Sequence, residues 1–260
     1  MGDHLLHQVR LRSGPVLVLA GGLAFFGLLA SSAHDHAQAA PAGRQAGFTP
    51  DQVAAGRQLY VVHCSSCHGI EPNGTADGPS LVDAGAASAD FYLRTGRMPL
   101  NDPNEQPARH RAAFPPDQIT QLVAYVASLG SGPPIPTVVP GSLANGNELY
   151  SINCAQCHNN AGAGGALGYG DIVPSLHRAS PPDVAEAVRI GPRPMPVFGP
   201  QTLSDQQVDD IATYVQYLHH PDDRGGLGLG HLGPIPEGFV GWVVGMGLLL
   251  AIARLIGTRG

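Results

Sequence analysis

Apolar positions recur at spacings of three and four in two stretches. Ile119, Leu122, Val123, Val126 and Leu129 form one set, and Val208, Ile211, Ala212, Val215 and Leu218 the other. Each predicts an amphipathic helix with one buried face. Ser204 and Gln207 supply a capping box at the start of the second. An earlier helix is announced by Thr49 as N-cap, Pro50 in the first turn and Gln52 three residues on. Its counterpart around 147–153 shows no comparable cap. Two further stretches are apolar throughout rather than periodic. Residues 13–33 carry no charge over 21 positions, behind Arg10 and Arg12. That is long enough to cross a bilayer, although Ser31-Ser32-Ala33 also fits a signal cleavage site. Residues 239–256 are apolar except for Arg254, which can snorkel to the headgroups.

The two periodic helices belong to a duplication. Ala54, Gly56, Leu59 and Tyr60 recur ninety positions later as Ala144, Gly146, Leu149 and Tyr150. Pro79-Ser80-Leu81 recurs as Pro174-Ser175-Leu176, and Tyr125-Val126 with Leu129 as Tyr214-Val215 with Leu218. The predicted organisation is an all-α protein of two tandem domains, 48–130 and 142–222. A Pro-rich linker at 131–141 is short enough to keep them close. A membrane anchor or signal at 1–34 and a transmembrane helix at 237–257 flank the domains. Leu100 to Pro115 has no counterpart in the second repeat and reads as a surface loop, with docking as its candidate role. The Gly-rich run at 162–170 lacks the Gly-Lys-Ser/Thr of a phosphate loop and reads as backbone passing close to a cofactor.

That cofactor is indicated by the cysteines. Cys64-Ser65-Ser66-Cys67-His68 and Cys154-Ala155-Gln156-Cys157-His158 are two copies of the haem c attachment pattern. Two thiols at this spacing add across the two vinyl groups of one porphyrin, and the next residue, His68 or His158, becomes the proximal iron ligand. A thioredoxin-like pair needs no following His. A zinc site wants its Cys-x-x-Cys halves about 15–20 residues apart, whereas Cys67 and Cys154 are far more distant. Disulfides are open to an exported chain but leave both histidines unexplained. Two covalent haems c are expected. Met98 and Met195 follow their histidines by 30 and 37 residues, each ahead of a Pro in a turn-rich string. They are the candidate distal ligands, since a thioether closes the iron of an electron carrier.

Composition narrows the function. The 260-residue chain is 13% charged, about half the ~25% of ordinary domains. All 14 basic residues are Arg, and the net charge of −6 is concentrated as −8 over residues 45–230. A nucleic-acid binder is excluded by that balance. Arg10, Arg12, Arg254 and Arg259 place both termini on the cytoplasmic side and the haem domains outside. Trp242 lies near the start of the last apolar segment, where an interfacial aromatic belongs, and Gly241 with Gly245 offers a seam for a partner helix.

Tandem haem c domains, the Gly96-Arg97-Met98-Pro99 string, Asn159 after the second motif, and Gly233-Pro234-Ile235-Pro236-Glu237-Gly238 before the last helix form a specific combination. The chain resembles the dihaem cytochrome c subunit of the actinobacterial quinol–cytochrome c reductase. The resemblance implies class I cytochrome c folds, and a cytochrome b and a Rieske iron–sulfur protein as partners. It also implies menaquinol as the electron source and a cytochrome c oxidase as acceptor in a supercomplex, with the first domain facing the iron–sulfur protein and the second the oxidase. Pro192 and Pro194 around Arg193 depart from the tighter first string, which sets Met195 apart from Met98. Two rivals remain: a free-standing membrane-anchored dihaem carrier of another respiratory chain, and a dihaem peroxidase, which needs an open distal site.

Overall fold

The computed structural model describes residues 47–222, 229 and 234–258. The apolar segment at 1–34 lies outside them. The first repeat comprises α1 (Pro50–His63), α2 (Ser65–His68), α3 (Gly85–Arg94) and α4 (Pro116–Ala127). The second comprises α5 (Leu143–Asn153), α6 (Ala155–His158), α7 (Pro181–Ile190) and α8 (Asp205–Tyr217). Thr49 and Gln52 close the expected reciprocal cap on α1, and Ser204 and Gln207 the one on α8. A third, Ser180 with Asp183, starts α7. The helix expected without a cap begins earlier than its pattern indicated. Ser142 accepts from the Asn145 amide at 3.3 Å, while the Asn145 side chain turns to Asp210 at 2.5 Å.

In each repeat the first helix packs on the last, α1 on α4 and α5 on α8. The recurrent glycines make these crossings possible. A Cβ at Gly56 would stand 1.9 Å from the Gln121 carbonyl oxygen, and one at Gly146 2.0 Å from that of Asp210. One turn further on, the recurrent tyrosines meet. Tyr60 and Tyr125 lie 5.1 Å apart, and Tyr150 and Tyr214 5.3 Å, both pairs tilted. The predicted apolar faces are buried: Ile119, Leu122 and Val123 join Tyr60, Ala86 and Leu93, and Val208, Ile211 and Val215 join Tyr150, Val184 and Val188.

One feature departs from an all-α fold. Gly165–Ala166 (β1) and Ile172–Val173 (β2) pair antiparallel, in the register Gly165↔Val173 and Ala166↔Ile172, around a 3₁₀ turn at Gly168–Gly170. Within the Gly-rich run, Gly164 is required by its own hairpin. It has φ +77°, and a Cβ there would stand 2.3 Å from the Val173 carbonyl oxygen.

The 100–115 loop is a clasp between the repeats rather than a free docking surface. Gln106 Nε2 donates to the Ile172 carbonyl at 2.8 Å and its Oε1 accepts from the Ile172 amide at 2.9 Å. Arg109 pairs with the buried Asp183. Beside this clasp α3 packs on α7. The linker is fixed at both ends by aspartates: Ser131 N–H donates to Asp83 at 2.7 Å and Ser142 N–H to Asp210 at 2.6 Å.

Toward the C-terminus, Pro234–Val240 (α9) and Gly247–Gly257 (α10) are joined by π-helical bonding over Gly241–Met246. The 23 residues Ile235–Gly257 are long and apolar enough to cross a membrane, and none of that stretch is buried in the protein. Gly241 and Gly245 both fall in the π-helical segment, with open space around each.

Candidate haem sites

Each Cys-x-x-Cys-His motif is folded as a single turn. Cys64 ends α1 by donating its N–H to the Tyr60 carbonyl at 2.8 Å, and the His68 amide returns to the Cys64 carbonyl at 3.0 Å. Cys154 and His158 repeat this at 2.8 and 2.9 Å. The turn places Cys, Cys and His side by side, as attachment to one porphyrin requires. A tyrosine from the preceding helix braces it: Tyr60 O–H donates to the Gly69 carbonyl at 2.6 Å, and Tyr150 O–H to the Asn159 carbonyl at 2.7 Å. Burial pushes the Tyr60 phenol up to about 12, so it remains a donor.

The histidine tautomer follows from its partner. His68 Nδ1 lies 2.8 Å from the Pro79 carbonyl oxygen, and His158 Nδ1 3.1 Å from that of Pro174. A carbonyl can only accept, so Nδ1 carries the proton and Nε2 keeps its lone pair for a metal. Burial lowers the pKa of His158, opposed by the Pro174 hydrogen bond, and favours the neutral ring that ligation needs. Pro79 and Pro174 recur in the sequence, but only the fold reveals their task.

No disulfide joins the four cysteines, and burial pushes the Cys64 and Cys154 thiols up to about 11. Among the described residues no three His, Cys, Asp or Glu side chains converge on a metal-sized site. In the second repeat Cys154, Cys157, His158 and Met195 line one mainly apolar cavity of about 330 Å³. Leu167 from the Gly-rich run lines it as well. In the first repeat Met98 and Cys64 pack against the same apolar cluster. The second site fits haem c, with paired thiols, an imidazole with Nε2 free, an apolar slot and a methionine in one cavity; the first repeats the motif turn, the carbonyl-bound imidazole and a methionine in the adjoining cluster.

Several side chains at the second cavity are not foreseen from the sequence, because they come from the first repeat. Arg97, Gln106 and Arg109 all line it. Nothing near the second motif in sequence points to them. Two further histidines are engaged: His177 and His219 are half-buried, with Nε2 on the Ala161 and Leu176 carbonyls at 2.6 and 2.9 Å.

Fold and sites together define a protein of two tandem cytochrome c-type domains. The family described as cytochrome c oxidase, cbb3-type, subunit III matches residues 51–126 and 141–215, one match per repeat. A cytochrome bc1 complex cytochrome c subunit from Corynebacterium diphtheriae is 33% identical over 272 residues, covering 97% of this chain and 96% of the relative. Its namesake from Mycobacterium leprae is 37% identical over 218 residues, covering 80% and 75%. A cbb3-type cytochrome c oxidase subunit CcoP from Azospirillum is 31% identical over 188 residues, covering 64% and 62%. The chain belongs to the family of cytochrome bc1 complex cytochrome c subunits.

Proposed function

We propose that this chain is the dihaem electron carrier of a quinol–cytochrome c reductase, passing electrons from a Rieske iron–sulfur protein to a cytochrome c oxidase. Cys64 and Cys67 hold one haem and Cys154 and Cys157 the other. His68 and His158 are the proximal ligands, and Met98 and Met195 the distal ones. When bound, haem c supplies a one-electron iron centre. The chain's own residues do the rest. The Pro79 and Pro174 carbonyls orient the imidazoles, the apolar cores keep water from the iron faces, and the clasp fixes one domain against the other. Catalysis at the quinol belongs to the cytochrome b partner, and this chain contributes position and tuning. Both apolar segments anchor it in the cell membrane with the domains on the outer face.

The observation that carries this reading is the exact recurrence of the attachment turn and its carbonyl-bound histidine in both repeats, in a chain 33% identical to a bc1-complex cytochrome c subunit over 97% of its length. Solubilising the membrane in mild detergent and following the haem-stained band tests it. Cytochrome b, iron–sulfur and oxidase subunits are expected to travel with the chain. A band travelling alone identifies a free-standing carrier and overturns the reading. Intact mass is expected to show two added porphyrins.

A further inference from the structure

Arg97 precedes Met98 in the first repeat, yet its side chain lies at the cavity of the second. It is 9% exposed, and its guanidinium stacks over the Phe91 ring with the central carbon 4.6 Å from the centroid. Its Nη1 is buried and has no hydrogen-bond partner. A buried guanidinium that lacks an acceptor is costly. The nearby Asp183 carboxylate offsets part of that charge but makes no hydrogen bond to Nη1; its Oδ2 is held by Arg109 and by the Ser180 amide at 3.0 Å. Arg109 also lines the cavity, so two cations from the first repeat, beside Arg193 and Asp183 of the second, stand at a mainly apolar slot formed with Cys154, Cys157 and His158. With Arg109 already paired to Asp183, it is the unpartnered Arg97 that calls for a carboxylate from whatever fills the slot. The porphyrin of haem c carries two, as propionates.

We infer that Arg97 binds a propionate of the haem carried by Cys154 and Cys157, so that the first repeat completes the cofactor site of the second. This rests on the reading of the second cavity as a haem site. The guanidinium is permanently charged and planar, suited to a carboxylate in a dry place. Its charge next to the porphyrin favours the reduced iron, which has one positive charge fewer. Arg97 is therefore a positioning residue for the second haem rather than part of the first site alone.

The test uses the full chain in its membrane complex. In an Arg97→Gln variant the reduced-to-oxidised ratio of the second haem at fixed potential is expected to fall about tenfold, a downward shift of about 59 mV for a one-electron couple. Arg97→Lys, which keeps the charge but not the fork, is expected to shift less. The components are assigned with a Cys154→Ala/Cys157→Ala chain, which retains only the first. A shift confined to the first haem, or no shift in either, overturns the inference. A density map of the wild-type complex decides independently of how the variants assemble: an Arg97 guanidinium hydrogen-bonded to a propionate of the second haem is expected, and one bonded only to protein or water overturns it. A wild-type mass lacking the second porphyrin overturns the haem reading itself, whereas two porphyrins with an unmoved potential overturn only the role of Arg97.

Discussion

Glu186 is fully buried on α7, where its oxygens accept from no donor and, protonated, its carboxyl can donate only to the Asp90 carboxylate. Burial first, and then the Asp90 and Asp183 carboxylates against the opposing Arg94, push it up to about 9. The folded chain therefore holds a proton there that the unfolded chain releases above the ordinary value of 4.5. Between those limits the unfolded state binds fewer protons, so stability falls as pH rises. Glu186→Gln is expected to stabilise the protein by on the order of 2 kcal/mol at pH 7 and to flatten the decline toward pH 9; denaturant melts across that range measure both. The methionines act at the same scale. Met98→Ala and Met195→Ala should each lower the potential of their own haem by on the order of 0.1 V, because axial ligands set potentials over a range of about 0.8 V. Each should also admit carbon monoxide. Unchanged potentials and no carbon monoxide complex would remove the ligand assignment. The Cys-x-x-Cys-His turns stand out in the sequence because attachment chemistry demands contiguous residues, whereas the fold is needed to bring Met98 and Met195 to the same cluster or cavity. Arg97 and Glu186 do not stand out, since their surroundings exist only when one repeat meets the other.

Helix crossings set the next scale. Gly56 and Gly146 were visible as a recurrence, but the reason lies in carbonyl oxygens 1.9 and 2.0 Å from where their Cβ atoms would stand. Gly56→Ala and Gly146→Ala should each cost about 3 kcal/mol through overpacking. Gly165→Ala, with nothing within 4 Å, should stay within about 0.5 kcal/mol of wild type. Chemical denaturation of the three variants checks the contrast, and equal losses at all three sites would remove the crossing argument. The amphipathic helices were legible from their period because their faces are buried within one repeat. The β1–β2 hairpin was not, as strands of two residues in a Gly-rich run leave no alternation to read. Ser142 was missed as a cap because α5 begins at Leu143, ahead of the apolar pattern used to locate it. The 100–115 loop looked free because its partners, Ile172 and Asp183, are 66 and 74 residues from Gln106 and Arg109.

The clasp, the pinned linker and the α3–α7 contact make the two repeats one electron-transfer body, whose second cavity is walled in part by the first repeat. Breaking the clasp tests that rigidity: Arg109→Ala leaves the buried Asp183 without its cation and should cost about 3 kcal/mol, read by denaturation and by faster amide exchange at Ile172. The proposed function carries an order with it: electrons are expected to enter at the first repeat and leave from the second. A chain with Cys154→Ala and Cys157→Ala should still be reduced at its first site by quinol, while oxygen consumption by the membrane stops. A chain with Cys64→Ala and Cys67→Ala should lose both, because the second site then has no donor within reach. Rapid mixing of quinol with membranes, followed at the haem absorption bands and at an oxygen electrode, separates the two steps. If the second site were still reduced at the wild-type rate after loss of the first, electrons would be entering it directly, and the series order from first repeat to second would be wrong.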